Sequence, residues 1–383
     1  MAENVGYYVS LVIFTAIYAL FSLGLNLQWG FTGLINFGHV AFMTIGAYAT
    51  VLLSLQNVPL AVAVLIGAAL AAFLGLLIGF ATLRLREDYL SIVTIGVSEV
   101  LRLVALNEEW LTRGSFGVQN FPLPLETFRP TLLSRYAMIG ILTVIVGLAY
   151  WQLWRWVQRR LRKIPAHTWF REPTLLLTIA CATFGLFLYG VCAVALYNFS
   201  QNPARNGLML VSVVVLALVF WRLEWLVRSP WGRVLKAIRE DEEVAKALGK
   251  NVFWYKLQSL MLGGFIAGIA GALFAWQLST VYPENFAPLI TFYGWTIVVL
   301  GGAGNNVGTI LGAVVFWAYF TVTRFLPDLV RTLHTVIPAI PAQVDDARLG
   351  AFRIMLIGVL LIVLMMLRPQ GILGKKEELT LGR

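Results

Sequence analysis

The chain has 383 residues, 59% of them hydrophobic and only 13% charged. A soluble globular domain carries about a quarter charged residues, so this composition points to a bilayer as solvent. A net charge of +10 would suit a nucleic acid partner, but the basic residues sit in short clusters between long apolar runs rather than along one polar face, which argues against that partner.

About 20 apolar residues cross a bilayer. Runs of that kind predict an all-α, polytopic transmembrane helical bundle of about 11 spans, at 7–28, 34–55, 60–83, 89–106, 132–153, 174–197, 207–222, 257–277, 287–304, 307–326 and 351–368. The opening MAENVGYYVS has neither a basic stretch nor a small-residue cleavage site, so the first run is expected to be a retained span. The pair 287–304 and 307–326 is closely spaced, and a broken or re-entrant helix there would change the count.

The first two spans hold an unusual stretch, NLQWGFTGLINFGHVAFMTIGAYA, at 26–49. Asn26 and Gln28 end the first span, and Asn36 and His39, three apart, are read as sharing one helix face with Gly33 and Gly38 nearby. Polar groups in hydrocarbon must find partners or line a wet cavity. Two readings stand: bonds between neighbouring helices, or the lining of a substrate path formed by Asn26, Gln28, Asn36, Gly38, His39, Thr94 and Glu99. Glu99 is also three residues from Arg102, which makes a self-neutralising pair the competing role for that carboxylate. His39 is not expected to hold a metal, because His167 and His334 fall in loops on opposite faces.

Further along, small residues recur four apart: Gly67, Ala71, Gly75 and Gly79, then Gly263, Ala267 and Gly271 beside Gly264, Gly268 and Ala272. Such stripes let helices approach closely and predict a compact bundle. Cys181 and Cys192 are eleven residues apart on one run, about 16 Å of rise, too far for a disulfide. Lysine and arginine collect at 84–86, 155–171, 222–256 and in the tail 369–383, whereas 107–131 has two and 278–286 none. With eleven spans this alternation places the N-terminus extracytoplasmic and the C-terminus cytoplasmic.

The connection RLEWLVRSPWGRVLKAIREDEEVAKALGKNVFWYK, 222–256, is more than a topology signal. Ser229-Pro230 starts a helix; Val234, Ile238, Val244, Ala245 and Leu248 can form an apolar face. Asp241, Glu242 and Glu243 suit the start of a second short helix, and Gly249 its C-cap. The GGAGNN run at 301–306 is expected to break a helix as a tight turn. No Ser–His–acid set, paired-carboxylate site or cysteine cluster is placed for catalysis, so an enzyme is the class least expected.

Five segments in order, GLINFGHVAFMTIGAYAT (33–50), LRLREDYLSIVTIGVSEVLRL (83–103), GRVLKAIREDEEVAKALGKNVFWYKL (232–257), VVLGGAGNNVGTILGAVVF (298–316) and LRPQGILG (367–374), resemble the branched-chain amino acid permease family of ABC importers, the LivH/LivM type and closer to LivM. One departure is that 151–205 is longer than the family leads one to expect, as if a span pair were inserted. The resemblance implies a single permease domain over 1–383 in the bacterial inner membrane, surrounded by lipid. It also implies a second permease chain, two cytosolic ATPase subunits carrying ATP and Mg, and an extracytoplasmic substrate-binding protein. The chain itself has no G-x-x-x-x-G-K-[ST] phosphate loop and binds no cofactor in this reading. Arg239, Glu240, Asp241, Glu242, Glu243, Ala245, Leu248 and Gly249 would form the docking site for the ATPase. The implied cargo is branched-chain or other neutral amino acids, with urea or short amides the alternative; a stand-alone channel or secondary transporter, or a scaffold without transport, are the other classes.

Overall fold

The computed structural model describes residues 2–83, 87–161, 173–324 and part of 350–374. Half of the predicted last span, 351–368, lies outside the described residues, as do His167, His334 and the tail from 375.

Helix α1 (Ala2–Leu25) runs without interruption into a π-helical turn, Asn26–Phe31, the wider winding in which backbone groups pair five residues apart. The chain then leaves helix until α2 (Val40–Leu55). The expectation of one helix over 34–55, with Asn36 and His39 on one face, is therefore corrected: Asn36 lies in non-helical backbone and His39 is the residue before α2. The physical reason begins at Gly33, whose φ of +85° turns the chain out of the helix where a β-carbon would be strained.

A tight connection at 56–59 leads to α3 (Leu60–Thr82), followed by α4 (Glu87–Asn107), a single-turn α5 (Glu109–Thr112) and a two-residue strand β1 (Val118–Gln119). Three long helices follow: α6 (Leu132–Leu161), α7 (Pro173–Tyr197) and α8 (Pro203–Arg228). Helix α8 begins where the Asn202 side chain accepts from the Arg205 N–H and Pro203 occupies the first turn, so it is longer than the predicted 207–222. Two short helices, α9 (Pro230–Glu240) and α10 (Glu242–Ala247), connect it to α11 (Val252–Leu278). Strand β2 (Thr280–Val281) pairs antiparallel with β1, Val118 opposite Val281. Helices α12 (Leu289–Gly301) and α13 (Asn306–Arg324) complete the described bundle.

Among the described residues, seven helices are long and apolar enough to cross a membrane, or eight if α12 and α13, bent by 117° at their junction, count as one broken span. Helix α2, with 16 residues and about 24 Å of rise, is shorter than a bilayer core. The result is an all-α membrane bundle.

Burial separates inner from outer helices. In α11, 83% of the apolar window is buried, against 11% in α6. Small residues make the inner contacts possible: a β-carbon at Gly46 would lie 2.2 Å from the Gly268 carbonyl oxygen, and one at Gly271 would lie 2.1 Å from that of Met43. Gly75 and Gly79 of α3 face Leu260 and Leu257 of α11 in the same way. The stripes read from the sequence thus pack α2, α3 and α11 together through dispersion contacts at short range. Cys192 is a buried free thiol, while the Cys181 side chain lies outside the described residues.

Candidate functional site: two helix breaks beside the α9–α10 segment

The π-helical turn after α1 meets the non-helical segment 32–39, the α12–α13 junction and the α9–α10 segment at one end of the bundle. Asn26 Nδ2 donates to Asn306 Oδ1 at 3.1 Å, and the Gly304 N–H donates to Asn26 Oδ1 at 2.9 Å. Asn306 Nδ2 in turn donates to Glu224 Oε2 of α8 at 3.1 Å, and the other oxygen of Glu224 accepts from Arg228. A buried polar ladder therefore ties α1, α8 and the second helix break together.

A second set holds the first break. Gln28 Nε2 donates to the Leu260 carbonyl at 3.1 Å, while its Oε1 accepts from Asn36 Nδ2 at 2.9 Å. Asn36 Oδ1 accepts from the Gly38 N–H at 2.9 Å, and the Asn36 carbonyl accepts from Trp295 Nε1 at 3.0 Å. The Phe37 N–H donates to Thr94 Oγ1 at 3.2 Å. Thr32 and Ser259 hydroxyls lie 2.7 Å apart beside the Leu27 carbonyl. Gly38 has no room for a side chain, since a β-carbon there would lie 1.7 Å from the Thr94 carbonyl oxygen. Trp29 and Trp295 rings, 4.5 Å apart, cover this set.

His39 is fully buried, packed by Phe21 and Phe42 rings at 4.7 and 5.5 Å. Its Nε2 donates to the Phe21 carbonyl at 3.2 Å, and its Nδ1 has no partner among the described residues. Glu99 stands apart from the other path candidates. It lies about 140° round α4 from Thr94 and is bidentate with Arg102 at 3.0 and 2.5 Å, partly exposed. Its side chain is thus engaged by its own helix. Of the other six, Gln28, Asn36, Gly38 and Thr94 share the set at the first break, Asn26 bonds the second break, and His39 bonds the Phe21 carbonyl.

The caps of the α9–α10 segment are built as its sequence reads, but the expected apolar face divides: Ile238 and Ala245 are buried with Val234 against them, while Val244 and Leu248 are exposed. Asp241 caps α10 by accepting from the Val244 N–H at 3.0 Å. At the other end Gly249 has φ +75°; its N–H donates to the Lys246 carbonyl at 2.9 Å, and the Lys250 N–H to that of Ala245 at 3.1 Å. This is a Schellman closure, and only glycine adopts its backbone without strain. Ala245 is buried with Ile238 and Val252, while Glu240, Asp241, Glu243, Leu248 and Gly249 are exposed. Lys256, 7% exposed in α11, holds Glu242 at 2.5 Å, and Lys246 reaches both Glu242 and Glu243 at 3.1 Å. Burial would raise the Glu242 carboxyl, but the Lys256 hydrogen bond and charge, with Lys246, keep it below the usual carboxylate value.

The two parts meet at Arg239. Its guanidinium donates to the Gly30 carbonyl in the π-turn, and its stem lies against Gly33, 3.5 Å from where a β-carbon would be. Lys236, one turn earlier on α9, sits 5.5 Å from the centre of the Phe31 ring. Sequence reasoning missed Glu224, Ser259, Thr291, Trp295 and Asn306 as members of the site. Asn306, inside GGAGNN, carried the only local signal; the others bond partners 82 or more residues away and become visible only once the helices pack.

A family model described as branched-chain amino acid transport system / permease component matches residues 7–365. The high-affinity branched-chain amino acid transport system permease protein LivM of Escherichia coli is 29% identical over 95% of this chain and 69% of its own length. The probable LivM of Methanocaldococcus jannaschii is 24% identical over 97% of this chain and 94% of its own. A nucleoside ABC transporter permease, NupC of Lactococcus lactis, is 23% identical over 82% of this chain and 79% of its own. No solved structure matches. With the match extending over nearly the whole length, the chain belongs to the family of branched-chain amino acid transport system permease components.

Proposed function

We propose that this chain is one permease subunit of an ATP-driven importer for branched-chain or other neutral amino acids, paired with a second permease chain, two cytosolic ATPase subunits and an extracytoplasmic binding protein. ATP and Mg belong to the ATPase subunits in this reading. The permease crosses the membrane about eleven times, with the N-terminus outside and the tail 369–383 in the cytoplasm, as the lysine and arginine distribution of the sequence favours. The chain is one permease domain in which 151–205 is a peripheral addition.

The observation that carries the reading is the Arg239–Gly30 hydrogen bond, because it links the segment offered to an ATPase with a helix discontinuity inside the bundle. Glu240 to Gly249 would be the docked surface, with exposed Leu248 as its apolar contact. An ATPase pair that binds two positions of this segment unequally shifts the equilibrium between two bundle arrangements. Through Arg239 that shift reaches Gly30, and through Asn26 it reaches the α12–α13 break. Broken helices expose backbone groups suited to the charged ends of an amino acid. The 32–39 segment, with Asn26, Gln28, Asn36, Gly38, His39 and Thr94, would then line the path when these bonds exchange. Glu99 is the member least supported.

The test is uptake by vesicles containing the full complex. Gly249→Leu and Arg239→Ala should each reduce ATP-dependent leucine uptake at least tenfold while the assembled complex is recovered at wild-type yield. Uptake that survives in both variants, or proceeds without ATP, would overturn the coupling. Competition by urea or a nucleoside stronger than by leucine would overturn the cargo and leave the coupling intact.

A further inference from the structure

We propose that the ends of α6 and α8 nearest the α9–α10 segment form a binding surface for the headgroups of anionic phospholipids. Among the described residues, five tryptophans are exposed at this end: Trp151 and Trp154 on α6, Trp221 and Trp225 on α8, and Trp254 at the start of α11. Exposed tryptophan at a helix end marks the depth of the membrane interface, where an amphipathic ring is at home.

What distinguishes these rings is the charge placed on them. The Arg155 guanidinium lies 4.5 Å from the Trp151 ring centre, and that of Arg222 lies 5.2 Å from Trp221. Both arginines are exposed, so each stacks on its ring while keeping donors turned to the surroundings. A planar guanidinium held at interface depth matches a lipid phosphate, which it meets with paired N–H donors.

The opposite end of the bundle behaves differently. There exposed Trp110 donates from Nε1 to Glu108 Oε2 at 2.7 Å, and Glu109 follows on the same turn. Tryptophan beside an acid does not attract a phosphate; tryptophan beneath an arginine does. Helix α6 is also the long helix with the smallest buried share, 11%, so its outer face is open to lipid along its length. An occupied α8 end would bear on transport geometry as well, since Glu224, on the same turns, bonds Asn306 at the second helix break.

The experiment is native mass spectrometry of the purified, delipidated full complex titrated with phosphatidylglycerol or phosphatidylcholine. Wild type should retain phosphatidylglycerol preferentially. A basic residue near a membrane surface contributes about a fivefold gain in anionic-lipid binding, so Arg155→Gln combined with Arg222→Gln should weaken phosphatidylglycerol retention about 30-fold. The lysine pair, Arg155→Lys with Arg222→Lys, should restore only part of it, because lysine keeps the charge but not the stacked, paired donors. Equal retention of the two lipids by wild type, or unchanged phosphatidylglycerol binding in the glutamine pair, would overturn the proposal. So would equally tight binding of soluble glycerol phosphate, which would make this an anion site without need of a bilayer. A disulfide between Trp154→Cys and the second permease chain would overturn it too, by showing the face covered with protein. Both arginines are exposed, so an unchanged melting temperature of the glutamine pair controls for folding.

Discussion

Between Phe31 and Val40 the chain leaves helix over 32–39, and between Gly301 and Asn306 over 302–305, yet the freed backbone groups find partners in different ways. At the first break the partners include five side chains from four places, Asn36 itself, Thr94 of α4, Thr291 and Trp295 of α12, and Arg239 of α9, while the Gly33 and Leu34 N–H groups bond back to the Trp29 and Gln28 carbonyls. At the second they are largely backbone. The Ile372 and Leu373 N–H groups donate to the Leu300 and Gly301 carbonyls at 2.9 and 3.1 Å, so the sequence-distant Gln370–Gly374 stretch straps the end of α12. Asn305 Nδ2 adds a bond to the Leu373 carbonyl, and Gly302 and Gly304 take φ of +105° and +75°. Unpaired backbone groups are costly away from water, so both breaks must be closed. The side-chain solution concentrates the risk in single residues. The backbone solution spreads it over a segment whose side chains matter little, provided the glycines remain.

This contrast can be broken by substitution. The largest effect is expected from Gly38→Ala, because the added carbon collides with the backbone of α4 rather than with a side chain that can rotate away. It should destabilise the protein by about 3 kcal/mol or more and lower the yield of folded chain, read by thermal unfolding in detergent. A wild-type melting curve would show that segment 32–39 shifts at no cost and that the first break is soft.

A smaller loss is expected from Asn36→Ala. It strands the Gln28 Oε1 and the Gly38 N–H, each in a buried setting, for about 2 kcal/mol. Adding Gln28→Ala should cost less than its single effect, since the two side chains share one bond. Strict additivity would mean that they act independently and that the side-chain network is not one unit.

The smallest is expected from deleting Gln370 onward. Three hydrogen bonds to the α12–α13 junction disappear, but the deletion also opens the Leu300 and Gly301 carbonyls to water, so global stability should fall by only about 1–2 kcal/mol. The specific sign is faster amide exchange confined to the segment around 300–305. Loss at Gly38 as well would show that the two breaks open together through Asn26 and Gly304.

Much of this was legible without coordinates, and the reasons are local. The α9–α10 segment reads correctly because an N-cap aspartate, acids in the first turn and a glycine at the C-cap each act within a few residues of where they stand. The small-residue stripes anticipated close packing for the same reason: spacing by four defines a face whatever lies opposite. The reading of Asn36 and His39 as neighbours on a helix face failed because apolar composition does not separate a helix from a break that other elements hold open. Gly33 was the local clue, and its left-handed φ ends the helical path. Glu99 carried two readings, a place on the path or a pair with Arg102 three residues on; the pair is what forms, because that spacing puts both side chains on one face of α4.

The sequence by itself determined the solvent, the helical class, the family and the build of the α9–α10 segment, since hydropathy, spacing and caps are properties of neighbouring residues. Only the tertiary structure decided what that segment touches. The contact between Arg239 and Gly30 joins residues 209 apart, and Asn26 reaches Gly304 across 278. Such pairs leave no local trace, because the driving force behind them is the burial of polar groups that could find no partner on their own helices. The stretch NLQWGFTGLINFGH keeps its polar residues for that reason: packed helices, and not lipid, supply their partners.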